Sequence, residues 1–358
     1  MRKKILAAIA AGLIVLGSFG VSDAATRAEV AAINVQTASD FQYWNNDSPT
    51  KAKIIEFVED VTNPRSQNYI PPEDRIATFD MDGTFYCETA PLYFQEMMFF
   101  QRVLEDENYS APKKYVNLAK KIQPKVYAKE KLTPSESKSY LEGLTAVYAG
   151  MTDEEYRAYV RKFMQTDEDG FTNLKRGEAF YLPMVEIISY LTNNGFNVYI
   201  DTACGVSTTR ELVDGVIPIQ FDRIIGSDFV YTSTNMGKEN PGDHFYDRFK
   251  EKIVISGKLL YNNAKTVKIF SIMNKIGKKP VLAFGNSSGD SGMLEYTLQD
   301  NKYRSMSFFV ICDDTIRERG NSKRAVSDTN LALKRGWNPI SMRDEFKTIY
   351  GDKVKLAK

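Results

Sequence analysis

The alternation of apolar and polar positions along the chain predicts an α/β fold. Short apolar runs that are typical of buried strands alternate with amphipathic helical segments after residue 180. Strands are predicted at 76–79, 196–200, 223–227, 229–231, 280–284 and 307–311. Helices are predicted at 49–61, 184–191, 208–213, 264–276 and 292–298. A strand, a helix and a strand in succession indicate crossover connections, and therefore a parallel sheet that is covered on both faces.

Residues 91–179 interrupt this pattern, because they contain no strong strand signal and are rich in Lys, Glu, Tyr and Met. Helical segments are predicted there at 93–105, 112–127, 134–148 and 153–164. The last begins with Thr152 as a helix N-cap, followed by three acids at the positive end of the helix. We therefore expect an N-terminal extension with one helix at 25–70, a core formed by 71–90 and 180–358, and a helical insertion at 91–179.

The first 24 residues have the layout of a secretory signal peptide. A basic start, Met1–Lys4, precedes an uncharged apolar stretch at 5–21, and small residues precede the expected cleavage point after Ala24. The alternative is an uncleaved membrane anchor, for which the apolar stretch is short. We expect an exported protein, periplasmic or extracellular, with no stable membrane insertion after cleavage.

Composition and charge exclude several functions. The 358 residues contain 47 Lys and Arg against 46 Asp and Glu, which leaves no broad electrostatic footprint for nucleic acid. A single histidine, His244, excludes a metal site with several His ligands within one chain and disfavours Ser-His catalysis. The three cysteines match no metal pattern and are expected to be reduced or buried: Cys87, Cys204 and Cys312.

Polar residues follow three of the predicted strands at the point where each strand ends. They are 80–84 (Asp-Met-Asp-Gly-Thr), 201–205 (Asp-Thr-Ala-Cys-Gly) and 285–290 (Gly-Asn-Ser-Ser-Gly-Asp). Ligands bind at the carboxyl ends of strands in open parallel sheets. Acids gathered there repel one another unless a cation lies among them, and a hard ion such as Mg²⁺ prefers oxygen ligands. Asp80 and Asp82 point the same way, so one can attack while the other moves protons.

These residues resemble the four motifs of the haloacid dehalogenase (HAD) superfamily, in the family's order. The segment 80–84 resembles motif I, Thr202 motif II, Lys265 motif III and 285–290 motif IV. The insertion between motifs I and II resembles the helical cap of the phosphoserine-phosphatase-like branch. The resemblance implies a Rossmann-like parallel sheet with an inserted α-helical cap.

The resemblance also implies a Mg²⁺-dependent phosphatase that hydrolyses a small phosphomonoester. Asp80 would be the nucleophile that forms an aspartyl-phosphate, and Asp82 the general acid and base. Thr202 and Lys265 would hold and neutralise the phosphate. The substrate would further meet Gly83, Thr84, Ala203 and Glu88. The metal ligands would be Asp80, Asp82, Asn286 and Asp290.

Several alternatives remain open at this stage. Lys268, three residues after Lys265, is a competing candidate for motif III. Asp201 either supports the site from behind or is exposed at the strand end. Asn286 replaces an acid of motif IV and offers an oxygen without a charge, which weakens metal binding. That substitution favours a secreted protein that binds a phosphorylated ligand without turnover, and phosphoryl transfer to an acceptor alcohol is a third possibility.

Overall fold

The computed structural model describes residues 24–88, 93–128 and 130–357, so the predicted signal peptide lies outside it except for Ala24. The helices are α1 Arg27–Ala31, α2 Pro49–Thr62, α3 Phe94–Leu104, α4 Lys113–Tyr127, α5 Pro134–Ala146, α6 Asp153–Phe163, α7 Leu182–Asn193, α8 Val206–Val213, α9 Thr266–Lys275, α10 Ser291–Leu298, α11 Ser322–Arg335 and α12 Met342–Glu345. The strands are β1 Ile76–Phe79, β2 Phe171–Thr172, β3 Asn197–Gly205, β4 Ile224–Ser233, β5 Ile253–Tyr261, β6 Leu282–Gly285, β7 Met306–Ile311, β8 Asn338–Ser341 and β9 Lys355–Leu356.

A seven-stranded sheet in the order β5-β4-β3-β1-β6-β7-β8 forms the centre of the described part of the chain. All its neighbouring strands run parallel except β4 and β5. Every residue of β1 is buried, as expected for a central strand that is covered on both faces. The predicted fold class, a mostly parallel α/β sheet with an inserted helical segment, is confirmed.

The antiparallel edge of the sheet differs from the sequence-based expectation. Residues 224–233 form one long strand, β4, where two short ones are predicted, and β5 is not predicted at all. Because β5 is an edge strand, only Val254 and Ile255 of it are buried, and the polar segment 256–258 divides its apolar residues into two short runs. Gly257, with a φ of +82°, interrupts it further.

The cap helices α3 to α6 are tied to the core at several points. The Thr145 hydroxyl donates to the carbonyl of Gly257 (3.1 Å), and the hydroxyls of Tyr156 and Thr208 lie 2.7 Å apart. These contacts join the cap to β5 and to α8. Within the described ranges, no helix is both long enough and apolar enough to cross a membrane.

Candidate active site

Three strand ends meet at one edge of the sheet because β1 lies between β3 and β6. Phe79, the last residue of β1, pairs with Ile200 on one side and Phe284 on the other. The rings of Phe79 and Phe284 stack with their centroids 4.2 Å apart. The chain passes from β1 to β3 on one side and returns to β6 on the other, and such a switch point is where open parallel sheets bind ligands.

A cavity of about 290 Å³ opens at this edge, between the core and the cap. Of the predicted site residues, the structure brings six together around it: Asp80, Asp82, Thr202, Ala203, Asn286 and Asp290. The cap contributes Tyr93, Gln95, Glu96, Leu141 and Leu144. The cavity therefore has a polar floor made of strand ends and a mixed wall made of cap side chains.

Lys268 is the cation at the centre of this floor. Its side chain is buried, and its Nζ donates to Oδ1 of Asp80 (2.9 Å) and Oδ1 of Asp290 (2.7 Å) and also to the carbonyl oxygen of Asp201. Burial alone would lower the pKa of Lys268, but the charges of Asp290 and Asp80 raise it above its usual value. The ammonium therefore stays charged and joins two carboxylates that would otherwise repel.

Lys265 does not reach this cluster, which corrects its assignment to motif III. The predicted helix begins at residue 264, whereas α9 begins at Thr266, so Lys265 lies outside the helix with an exposed side chain. Lys268 shares one helix face with the buried Ser271 and Ile272 and therefore faces the sheet. The competing candidate takes the central position because the helix starts two residues later than expected.

Asp290 shapes the turn that follows β6. Its Oδ2 accepts hydrogen bonds from the main-chain N–H of Asn286 (3.0 Å), and from the N–H (2.9 Å) and hydroxyl (3.1 Å) of Ser287. Its Oδ1 is taken by Lys268. Both oxygens of Asp290 thus have partners, and this carboxylate orders the loop as well as the lysine.

Asp80 and Asp82 differ in what surrounds them. Burial and the charge of Asp290 raise the pKa of Asp80, but the ammonium of Lys268 opposes that rise. Burial raises the pKa of Asp82 well above its ordinary value, and the charges of Asp80 and Glu88 raise it further. The buried Oδ1 of Asp82 has no hydrogen-bond partner among the described residues. A carboxylate paired with an ammonium suits a nucleophile, and a carboxyl with a raised pKa suits a proton donor.

The structure does not bring Gly83, Thr84 or Glu88 to the cavity wall, which corrects their assignment to substrate binding. Gly83 has a φ of +78°, and a Cβ there would collide with the side chains of Asn286 and Glu88. Thr84 is fully buried in the motif I turn. Glu88 accepts hydrogen bonds from Arg324 (3.2 Å) and Tyr93 (3.3 Å), and also from the amide nitrogen of Asn286. Glu88 thus joins the motif I loop to Asn286 and Arg324, and none of the three residues lines the cavity.

The residues around Asp80 offer oxygen atoms of the kinds that bind a hard divalent cation, but these atoms carry little net charge. Within the described ranges, no group of three or more Asp, Glu, His or Cys side chains could hold a metal ion. Asn286 carries no charge, and Lys268 already forms ion pairs with Asp80 and Asp290. The remaining donors are the carboxylate of Asp80, the orphaned carboxyl or carbonyl of Asp82, and the amide oxygen of Asn286. These are the ligand types that Mg²⁺ takes.

Sequence reasoning did not find the cap residues Gln95 and Glu96. Oε1 of Gln95 accepts a hydrogen bond from the main-chain N–H of Gly205 (3.0 Å), which joins α3 to the end of β3. Burial, together with the charge of Glu88, raises the pKa of Glu96 to about 7. The available signal was two polar residues directly before a run of buried apolar ones, 97–100, but no motif marks them.

Asp201 and Cys204 also lie at the end of β3. Asp201 is fully buried behind the cavity, so the alternative of an exposed strand-end acid is wrong. Cys204 lines the cavity. Burial raises the pKa of its thiol well above the usual value, and the charge of Asp82 raises it further. The thiol is therefore neutral and unsuited to nucleophilic attack.

Comparison with known proteins gives similarity at the level of structure. Neither the protein-family models nor the curated proteins contain a match to this sequence. Similar solved structures include a HAD hydrolase and a phosphoserine phosphohydrolase-like protein from Francisella tularensis, the latter with a TM-score of 0.35 and 14% identity over 66% of this chain and 87% of that one. The HAD hydrolase, of family IA from Entamoeba histolytica, has a TM-score of 0.35 and 11% identity, over 74% of this chain and 92% of that one.

Two further similar structures have higher TM-scores. A protein of unknown function from Bordetella pertussis Tohama I has a TM-score of 0.47 and 15% identity, over 74% of this chain and 97% of that one. Cytosolic 5′-nucleotidase IIIB bound to cytidine has a TM-score of 0.47 and 10% identity, over 82% and 86%. At these values the similarities establish no activity or substrate for this chain.

Proposed function

We propose that the protein is a phosphatase that hydrolyses a small phosphomonoester through an aspartyl-phosphate on Asp80. The observation that supports this most is the arrangement of Asp80, Lys268 and Asp82. One carboxylate is held by a buried ammonium, and a second carboxyl with a raised pKa lies two residues away at the same cavity. A nucleophile and a proton donor of this kind are what phosphoryl transfer to and from a carboxylate needs.

The proposed reaction has two steps. The Asp80 carboxylate attacks phosphorus, the bond between phosphorus and the ester oxygen breaks, and Asp82 gives its proton to the departing alkoxide. Asp82, now ionised, takes a proton from a water molecule, and the resulting hydroxide attacks the aspartyl-phosphate to release phosphate and regenerate Asp80. Throughout, Lys268 offsets negative charge on the reacting groups, while Thr202 and main-chain N–H groups of its turn bind phosphoryl oxygens.

We propose Mg²⁺ as the cofactor. Asp80, the carbonyl of Asp82 and Asn286 would hold it. Asp290, which the sequence also predicts as a ligand, has both oxygens hydrogen-bonded and would instead keep the loop of Asn286 in place. A bound divalent cation neutralises charge between an anionic nucleophile and an anionic substrate. The cavity of about 290 Å³ beneath a cap that is hydrogen-bonded to the core supports a small substrate.

The test is release of inorganic phosphate from an aryl phosphate in excess Mg²⁺. We expect Asp80→Asn to lower the rate by more than roughly 1,000-fold, since the nucleophile is lost. The matched control is Asp313→Asn. Asp313 also follows a parallel strand, β7, but hydrogen-bonds Ser341 (2.5 Å) and lies outside the cavity. Full activity of Asp80→Asn would reject the assignment of the nucleophile.

A second candidate is a protein that binds a phosphorylated ligand without hydrolysing it. The observation that favours it is Asn286, whose amide nitrogen donates to Glu88 and whose side chain adds no charge for a metal. Phosphate release distinguishes the two. Saturable binding of a phosphomonoester without any release of phosphate in excess Mg²⁺ would favour the binding protein.

We further propose that the protein is exported and that its mature chain begins at Ala25. The layout of residues 1–24 supports this: a basic start, an uncharged apolar stretch and small residues before the cleavage point. Mass spectrometry of the secreted or periplasmic protein should give the mass of 25–358. Recovery of the full-length chain in the membrane fraction would indicate the uncleaved anchor instead.

A further inference from the structure

The segment between β5 and α9 contains a fully buried asparagine, Asn263, which the sequence alone does not single out. Its Nδ2 donates hydrogen bonds to Oδ1 of Asp201 (2.6 Å) and to the main-chain carbonyl of Thr202 (3.0 Å). Its Oδ1 accepts one from the hydroxyl of Ser271 (2.7 Å). A carboxamide offers two donor hydrogens and one acceptor oxygen, so every polar group of this side chain has a partner.

The main chain of Asn263 extends the same network. Its N–H donates to Oγ of Ser227 (3.0 Å), and the Ser227 hydroxyl donates to the carbonyl of Ala203 (2.7 Å). The carbonyls of Thr202 and Ala203 are therefore both held from outside β3. The pairing of β3 with β4 loses its regular register between Asp201 and Gly205, so the sheet alone does not fix these two peptide groups.

The same network reaches the central lysine. Ser271, which orients the carboxamide of Asn263, lies on α9 together with Lys268, and Lys268 itself donates to the carbonyl of Asp201. The end of β3 at Thr202 and the helix that carries the ammonium are thus joined at two independent points. A displacement of one relative to the other would have to break hydrogen bonds of a fully buried group, which is costly.

We infer that Asn263 is a positioning residue that holds the end of β3, at Thr202 and Ala203, in register with Lys268. Phosphoryl oxygens therefore meet this strand end and the ammonium together. Asn263 does not line the cavity and touches no reacting atom. The inference depends on the proposed phosphoryl chemistry at this site. Donors that are fixed in place before the substrate binds stabilise the developing charge most, and a misplacement of about 1 Å can cost about 100-fold in rate.

The test compares two substitutions of Asn263. Asn263→Ala removes the side-chain contacts, whereas Asn263→Asp keeps the shape and turns both donors into acceptors that face Asp201 and the carbonyl of Thr202. In Asn263→Asp we expect kcat for an aryl phosphate to fall about 100-fold. We also expect the inhibition constant of inorganic phosphate to rise about tenfold. The inhibition constant decides, because it does not depend on what fraction of the sample is folded.

The matched control is Asn301→Asp. Nδ2 of Asn301 also donates two hydrogen bonds, here to the main-chain carbonyls of Thr297 and Pro280 (both 2.8 Å), but it lies near the amino end of β6, away from the cavity. Asn301→Asp should lower the melting temperature and leave the inhibition constant unchanged. If the Asn263 variants behave like this control, with stability reduced and phosphate affinity intact, Asn263 is merely structural and the inference is overturned.

If the proposed function is wrong, the wild-type chain itself gives a different result from the one expected above. A wild-type chain that binds inorganic phosphate in calorimetry without hydrolysing any ester would reject the phosphatase. The comparison of phosphate affinity between Asn263→Asp and Asn301→Asp would still decide the role of Asn263. A wild-type chain that neither hydrolyses esters nor binds phosphate would overturn both.

Discussion

Two acids on the floor of the cavity have a cation beside them, whereas the buried acid of the cap wall has none in the described part of the chain. On the floor, Lys268 forms ion pairs with Asp80 and Asp290. The second oxygen of Asp290 accepts hydrogen bonds from main-chain N–H groups of the loop after β6. On the wall, no basic side chain of the described residues forms an ion pair with Glu96, and its pKa rises to about 7 instead. An ammonium thus offsets the charge of Asp80 and Asp290, whereas within the described ranges Glu96, like Asp82 on the floor, has no cation beside it and a raised pKa.

From this difference we expect the floor to carry the chemistry of the reaction and the wall to carry ligand selectivity. The floor is built from three adjacent strand ends, which the sheet holds together with buried hydrogen bonds from Lys268 and Asn263. The wall is formed by α3 and α5, and α3 is attached to the core by the hydrogen bond between Gln95 and Gly205. We expect changes in the floor to act on the rate of reaction and changes in the wall to act on stability and ligand preference.

The largest effect is expected from Lys268→Met, compared with Lys265→Met. Removal of the central ammonium leaves two buried carboxylates without a cation, which should destabilise the fold by about 3–5 kcal/mol. The rate of phosphate release should fall at least about 100-fold. The exposed Lys265 should tolerate the same substitution with no measurable change in rate or unfolding. Equal losses in the two variants, measured by steady-state kinetics and chemical denaturation, would contradict the placement of Lys268.

A smaller effect on the floor is expected from Asn286→Asp. The new carboxylate adds a charge for Mg²⁺ but also faces Glu88, so we pair it with Glu88→Gln to remove that repulsion. In the double variant, the Mg²⁺ concentration that gives half-maximal activity should fall about tenfold. Glu88→Gln alone is the control. An unchanged Mg²⁺ dependence in the double variant would place Asn286 outside the ligands of the metal.

The smallest effect is expected from Glu96→Gln in the cap wall. The folded-state pKa of about 7 lies above the ordinary value of 4.5, so the folded protein binds the extra proton and stability is lost as pH rises from about 4.5 to 7. The amide cannot ionise. The melting temperature of the variant should therefore match wild type at pH 4 and exceed it by roughly 2–4 °C at pH 8.

The control for this change is Glu105→Gln, at an exposed position at the end of the same helix. It should leave the melting temperature unchanged at both pH values. A difference between Glu96→Gln and wild type that stays constant from pH 4 to pH 8 would show that Glu96 does not titrate within this range.

Sequence patterns were sufficient for the central strands and for the acids that follow them. The runs at 76–79, 280–284 and 307–311 are apolar because β1, β6 and β7 are covered on both faces. The edge strand β5 escaped prediction because it is half exposed. The choice between Lys265 and Lys268 depended on where α9 begins, and helix ends are the least predictable part of a helix.

The sequence by itself therefore determined which residue types reach the carboxyl edge of the sheet, because period-two strands and the glycine turns after them are local properties of the chain. Only the tertiary structure decided which of those residues face the cavity. It turned Glu88 toward Arg324, brought Asn263 beneath the turn of Thr202, and set Glu96 in the cavity wall without a cation. These outcomes depend on contacts between residues far apart in the chain, which no local pattern encodes.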